Sequence, residues 1–214
     1  MTRPTVTAPA TPARDVVRAY VALTKPRIVE LLLVTTLPAM VVAERGLPDL
    51  WLVLVTLVGG TLGAGSANAF NSILERDSDA LMTRTRRRPL PNHQISTRPA
   101  VVFATALAIV SFAMTAAWVN LLTAVLILAA NAFYVIVYTA YLKPRTVQNI
   151  VVGGAAGCVP VLAGWSAVTN ELSLTAWLMF AVVFLWTPPH FWALAIRYRD
   201  DYAAASIPML PVVA

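Results

Sequence analysis

Asn71, Glu75 and Asp79 stand four residues apart, with Asn68 close to one turn before them. On a helix, positions four apart drift by only about 40° and climb about 6 Å, so the amides and both carboxyls share one face. A ladder of hard oxygen donors suits Mg²⁺, which takes few protein carboxylates and completes its octahedron with waters and substrate phosphates. Asp77 points off that face on an ideal helix and joins it only where the helix unwinds. Downstream come Arg84, Arg86, Arg87 and Arg88; guanidinium forks bind phosphate oxygens bidentately and stay charged at any relevant pH. Acids beside arginines describe a site for a metal-loaded diphosphate. Asn71, Glu75, Asp77 and Asp79 are its candidate metal ligands, and the arginines from Arg84 to Arg88 its candidate phosphate partners. Anchoring of a membrane span explains the arginine run equally well by itself. It does not explain the acids, because charge at a bilayer boundary is expensive and usually functional.

Two other segments carry chemistry. Trp186-Thr187-Pro188-Pro189-His190-Phe191-Trp192 precedes Arg197, Arg199, Asp200, Asp201 and Tyr202. The proline pair is expected to break or kink its helix, free backbone carbonyls and set His190 in a cavity. The competing reading, a histidine bonded to a neighbouring helix with the acids in a solvated loop, stays open. Tyr138 to Asn149 forms a short connection in which Lys143 and Arg145 can hold a phosphate or another anionic group. Interfacial tyrosines with basic anchors explain it as well.

The elements that must position these groups are transmembrane helices. Of 214 residues, 58% are hydrophobic and only 12% charged, about half the charged share of a soluble domain. Six apolar stretches approach the length that crosses about 30 Å of hydrocarbon: roughly 28–43, 50–73, 99–119, 121–141, 147–168 and 174–196. The fold class is therefore all-α, a polytopic helix bundle in a lipid bilayer. With alternate loops on alternate sides, fifteen of the sixteen Lys and Arg residues fall on one side and Arg45 alone on the other. The positive-inside rule makes that side cytoplasmic, with the N-terminus and both acidic loops, as in a bacterial plasma membrane. The net charge of +6 lies beside apolar spans instead of lining a soluble face, which argues against a nucleic-acid partner. Gly59, Gly60, Gly63 and Gly65, and Gly153, Gly154 and Gly157, are expected at close helix contacts. Cys158 is the only cysteine and can form neither an internal disulfide nor a cysteine metal cluster. Residues 1–27 are rich in Thr, Ala, Pro and Arg and are expected to form a disordered cytoplasmic tail before a membrane domain over 28–214. An organelle transit peptide is the minor alternative for the tail.

Taken together, Leu23-Thr24-Lys25-Pro26-Arg27, the stretch from Asn71 to Leu90, Tyr138 to Gly157, Thr187-Pro188-Pro189-His190-Phe191-Trp192 and Asp201 to Val213 closely resemble the heme O synthase branch of the UbiA membrane prenyltransferase superfamily. The resemblance implies transfer of a farnesyl group from farnesyl diphosphate to a vinyl group of heme B, with Mg²⁺ on the diphosphate. It implies that Asn71, Glu75, Asp79 and Asp201 form the catalytic set and that Arg84, Arg88, Lys143 and Arg145 hold the diphosphate. His190, Arg197, Arg199 and Tyr138 would hold heme, and a later heme-modifying enzyme or an oxidase assembly factor would be a partner. Glu75 departs from the family pattern, which has Asp there, and so carries its carboxylate one methylene further out. The second acidic loop has fewer acids than in prenyltransferases acting on quinone precursors. The family has about nine helices, so this chain is expected to be a C-terminally incomplete copy. Two alternatives remain: prenylation of a quinone precursor or other aromatic, and a non-enzymatic transporter whose glycines and broken helix serve alternating access.

Overall fold

A computed structural model describes residues 12–213, and every regular element among them is helical. Six helices are long and apolar enough to span a bilayer, and their ends lie within a few residues of those expected from the sequence. They are α2 (Pro26–Glu44), α3 (Leu50–Leu74), α5 (Thr97–Trp118), the span that begins with α6 (Leu121–Ala132), the pair α8 (Asn149–Gly153) and α9 (Ala155–Thr169), and α10 (Leu174–Arg197). Shorter helices decorate the charged end: α1 (Ala13–Leu23), α4 (Arg76–Leu81), α7 (Lys143–Arg145), α11 (Arg199–Ala204) and α12 (Leu210–Val213). Asp49, Asn120 and Ser173 cap α3, α6 and α10 by accepting backbone N–H groups of Leu52, Thr123 and Ala176, which satisfies donors the first helical turn otherwise leaves free.

Small residues let the helices approach. On α3, a Cβ at Gly59 would collide with Thr115 Oγ1 and one at Gly63 with Ile127 Cγ2. Across the same seam Ser111 donates to the Gly59 carbonyl at 2.7 Å, Ser66 to Ala104 at 2.8 Å, and Asn131 to Gly63 at 3.1 Å. Such contacts replace the hydrophobic drive that lipid cannot supply between helices. The expected glycine contacts hold at Gly59, Gly63 and Gly65. Gly153 faces the Tyr138 ring and Gly154 faces Thr187, but Gly157 has open space beside it. The tightest approach to backbone is at Gly164, where a Cβ would run into the Thr36 carbonyl oxygen of α2.

Three expectations are corrected. The tail forecast as disordered contains α1 from Ala13 to Leu23, whose Ala19 and Leu23 are buried against Ala69, Ala100 and Ala104; residues 1–11 lie outside the described residues. Ala19 and Leu23 stand about one turn apart on the same side of α1, and that short stripe is enough to dock the helix. Pro188 and Pro189 do not break α10, which runs through both. Its preceding turns hold, and Thr187 donates to the Val183 carbonyl at 2.8 Å. His190 accordingly sits on an exposed face of α10 between Trp186 and Phe191, at 5.0 and 5.4 Å between ring centroids, and not in a cavity among the described residues. One feature has no signal in the apolar pattern: after Ala132 the fourth span continues as a π-helix, Phe133–Leu142.

Gly164→Ala should lower stability by about 1–3 kcal/mol, because the new methyl meets backbone that cannot rotate away. Gly60→Ala, whose Cβ would find only Leu33 at 4.0 Å, should be neutral within about 0.5 kcal/mol. Thermal unfolding of the two variants in the same detergent checks the contrast.

Candidate functional site

The oxygen ladder lies where α3 ends. Helical geometry falters at Glu75 and resumes in α4, yet Glu75 N–H still bonds the Asn71 carbonyl at 2.9 Å and Asp79 N–H the Glu75 carbonyl at 2.7 Å. The four-residue register therefore survives the change of helix, and Asn71, Glu75 and Asp79 are all buried at the bundle's charged end. Asp77 is exposed and pairs with Arg76 at 3.0 Å, outside this cluster.

Each rung holds a partner from another segment. Asn71 Oδ1 accepts from Lys25, and Asn71 Nδ2 donates to Thr139 Oγ1 at 3.0 Å. Glu75 accepts from Lys143. Both oxygens of the fully buried Asp79 accept from Arg88, at 2.9 and 2.7 Å. Lys25 reaches inward from the corner between α1 and α2, where it adopts a left-handed φ 52°, ψ 65° immediately before Pro26. The loop bearing Arg88 is tied down by Thr85, which donates to the Asp79 carbonyl at 2.9 Å, and by buried Met82 and Leu90. Loss of hydration, then the charge of Arg88, pushes the Lys25 pKa down to about 7, although Glu75 and Asp79 pull the other way. Burial opposes ionisation of Glu75, but the ammonium groups of Lys143 and Lys25 outweigh it and hold that carboxyl below its ordinary value.

Three basic groups thus face two carboxylates and one amide. Hard oxygens with adjacent long cationic side chains fit Mg²⁺ and a diphosphate. The ladder offers the metal two carboxylates and an amide, leaving the other positions to phosphate and water. No three His, Cys, Asp or Glu side chains converge into a self-sufficient metal site among the described residues; a metal held here would need its substrate.

The model of the UbiA prenyltransferase family matches residues 32–214. The chain belongs to the UbiA prenyltransferase family. Among its relatives, protoheme IX farnesyltransferase 1 of Saccharopolyspora erythraea is 62% identical over 97% of this chain and 66% of its own length. The protoheme IX farnesyltransferase of a Nocardioides species is 60% identical over 94% of the chain and 64% of its own length. The chain thus spans about two thirds of the curated relatives it matches. A solved UbiA homologue from Archaeoglobus fulgidus bound to DMAPP and Mg²⁺ superposes with a TM-score of 0.74 at 22% identity, covering 91% of this chain and 68% of that one. The apo UbiA homologue of Aeropyrum pernix K1 superposes at 0.71, over 88% and 70%. These likenesses fix the UbiA fold.

Within this UbiA frame the remaining candidates occupy the rim or lie elsewhere. Asp201 crosses to the arginine loop, accepting from the backbone N–H groups of Thr83 and Arg84, both at 3.1 Å. The Arg84 N–H, followed by that of Thr83, holds the Asp201 carboxyl below the usual aspartate range. Arg84 and Arg197 both lie over the Tyr198 ring, at 5.3 and 5.6 Å. Arg145 turns away from the cluster, over Tyr141 at 4.9 Å, and donates to the carbonyls of Ala140 and Tyr141. Tyr138 stacks near Tyr134 at 5.3 Å and lies 6.0 Å from Lys143 Nζ, while Arg199 is exposed. The structure therefore brings Asn71, Glu75, Asp79, Arg88 and Lys143 together with Tyr138 beside them, sets Asp201 and Arg84 at the rim, and leaves Asp77, Arg145, His190, Arg197 and Arg199 outside. Sequence reasoning takes Lys25 for a topological anchor and passes over Thr139. The Lys-Pro step is the available signal for Lys25; Thr139 has none.

Asp79→Asn leaves Arg88 without its carboxylate. Fully buried pairs lose about 3–5 kcal/mol in this way, and with Arg88 24% exposed the loss should fall to about 2 kcal/mol. Adding Arg88→Gln should recover part of it, as read by thermal unfolding. The lysine gives a pH signature. Because the folded pKa of Lys25, about 7, lies below its ordinary 10.5, the unfolded chain binds more protons between those values, and stability of the ligand-free protein rises with pH across that window. Lys25→Met should flatten the rise in a series of unfolding curves from about pH 7 to 10.

Proposed function

We propose that this chain forms the prenyl-diphosphate site of an Mg²⁺-dependent protoheme IX farnesyltransferase, converting heme B to heme O, with the site on the cytoplasmic side of a bacterial plasma membrane. The observation that carries the proposal is the buried ladder of Asn71, Glu75 and Asp79, each rung held by one of three basic side chains. The names of relatives at 57–62% identity support the acceptor and donor.

Near neutral pH a diphosphate ester carries about three negative charges, so its Mg²⁺ complex brings about one net negative charge to a site where Lys25, only partly protonated near pH 7, would take up its proton fully in compensation. Glu75, Asp79 and Asn71 are suited to hold the metal, which when bound supplies Lewis-acid stabilisation of charge on the leaving diphosphate. Released from Asn71, Glu75 and Asp79, the side chains of Lys25, Lys143 and Arg88 would turn to the phosphate oxygens, with Arg84 closing from the rim. These preplaced donors favour the state in which the allylic carbon–oxygen bond is breaking, because charge then builds on the diphosphate. Asp201 braces the arginine loop through Thr83 and Arg84. The low-polarity bundle above would shield the allylic cation from stray water until the vinyl carbon of heme attacks; one water would then capture the cation left beside the macrocycle and lose a proton, giving the hydroxyethylfarnesyl arm, while diphosphate departs.

The continuity of α10 supports an acceptor surface. His190 and Arg197 are seven residues apart on one unbroken helix, so they share a face about 10 Å apart. That separation suits a macrocycle met by the imidazole with a propionate at the guanidinium and Arg199 as a second cation at the same helix end; Tyr138, on the ladder's side, stands apart from this face.

Membranes containing the protein, given heme B, farnesyl diphosphate and Mg²⁺, should form a farnesylated heme separable by reversed-phase chromatography. Glu75→Gln and Asp79→Asn should each cut the yield at least about a hundredfold at equal folded protein, matching the loss of one preorganised charge; EDTA should abolish it. Prenylation of an aromatic acid while heme B stays unchanged would refute the acceptor. Full activity in Glu75→Gln would refute the site.

A further inference from the structure

Beside α1, away from the diphosphate cluster, the surface opens into a groove of about 780 Å³. Val17 and Val21 form its wall on α1, with Arg98 and Val102 opposite on α5. Tyr20 meets Phe103 edge-on at 4.9 Å and makes the floor. Val17, Val21 and Val102 are 61%, 52% and 69% exposed, so the walls are apolar and, among the described residues, uncovered.

Charge is distributed along the groove in one direction. Arg98 lies in the first turn of α5, at the charged end of the bundle, and Val102 and Phe103 follow it one turn deeper along the span. On α1, Arg14 stands one turn before Val17, on its side of the helix. Asp15, the only acid of α1, falls on the opposite side. Among the described residues neither Arg14 nor Arg98 makes an ion pair. An apolar channel descending from two such guanidinium groups at headgroup level complements one kind of molecule: a bilayer lipid with an anionic head and a hydrocarbon tail.

We propose that the α1–α5 groove is a binding site for an anionic phospholipid, with its phosphate on Arg98 and Arg14 and an acyl chain along Val17, Val21, Val102 and Phe103. The site also reaches the catalytic end of the bundle. Thr24 lines the groove, its carbonyl accepts from Asn68 at 3.0 Å, and Lys25 follows directly at the corner that reaches Asn71. A lipid seated there braces that corner.

Native mass spectrometry of the detergent-released full chain, offered equal amounts of phosphatidylglycerol and phosphatidylcholine, tests the site. The wild type should retain phosphatidylglycerol preferentially. Each basic residue near an anionic lipid is worth about fivefold in affinity, so Arg14→Glu with Arg98→Glu should lower retention by at least about twenty-five-fold. Val102→Gln should weaken it through the tail, and Arg86→Glu, an exposed arginine outside the groove, should leave it unchanged. All of these positions are exposed, and a monodisperse elution profile confirms folding. Equal retention of the two lipids would overturn the proposal, as would an Arg86→Glu loss as large as that of the groove pair. A lipid-free dimer broken by the groove substitutions would overturn it too, by assigning the groove to a second copy of the chain.

Discussion

Charge compensation among buried side chains is the constraint on which the charged end of this bundle rests. An isolated carboxylate or ammonium pays heavily for leaving water, and a pair recovers that cost only with good geometry and further hydrogen bonds. Here Glu75 is matched by Lys143, Asp79 by Arg88, and Asn71 by both Lys25 and Thr139. The partners come from the α1–α2 corner, the arginine loop, the π-helix and α7 directly after it, so the cluster ties all four to α3 and α4. Deeper in the bundle the same function falls to neutral contacts, small residues and hydroxyl groups bonded to backbone carbonyls. Charge gathers where water can reach one side of it, and close packing rules where it cannot.

Three local irregularities make the cluster possible, and each departs from α-helical geometry at the charged end. Lys25 turns left-handed before Pro26; α3 yields to α4 at Glu75; the fourth span winds as a π-helix from Phe133 to Leu142. The last has a register consequence. Thr139 meets Asn71 and Lys143 meets Glu75, each pair separated by 68 residues in sequence. Two segments thus run rung against rung over one turn. Insertions of this kind recur at functional sites because they re-aim a few side chains without disturbing the helix on either side.

The sequence exposes the spans clearly because twenty-odd apolar residues admit few alternatives in length or composition. The oxygen ladder is legible for the same kind of reason: a four-residue spacing has one simple meaning on a helix, and it survives even the break at Glu75. What stays hidden are features set by tertiary partners. The cations opposite the ladder lie far from it in sequence, and Lys25 looks like any basic residue flanking a span. Helix α1 escapes notice because it lies in a segment rich in arginine and proline, although its apolar and polar residues separate strongly around the helix. The prolines at 188 and 189 mislead in the opposite direction. An apolar span keeps its remaining backbone bonds because no water competes for them in hydrocarbon, so missing N–H donors that would break a helix in water are tolerated.

The pairing of every rung with a cation also bears on how the proposed ligands arrive. A diphosphate alone would draw Lys25, Lys143 and Arg88 toward itself and leave Glu75 and Asp79 facing it across a small space, two bare carboxylates against a polyanion. A divalent metal alone would compete with Lys143 and Arg88 for carboxylates already satisfied, and would leave those cations unpaired in a dehydrated pocket. Only the two together exchange partners without stranding a charge: carboxylates pass to the metal as ammonium and guanidinium groups pass to phosphate. Because like-charge contacts at a few ångström cost several kcal/mol even at an effective dielectric of about 20, the energetics favour joint arrival over either order taken singly. On the proposed reading, the resting ion pairs would favour a metal–diphosphate complex over either of its components alone.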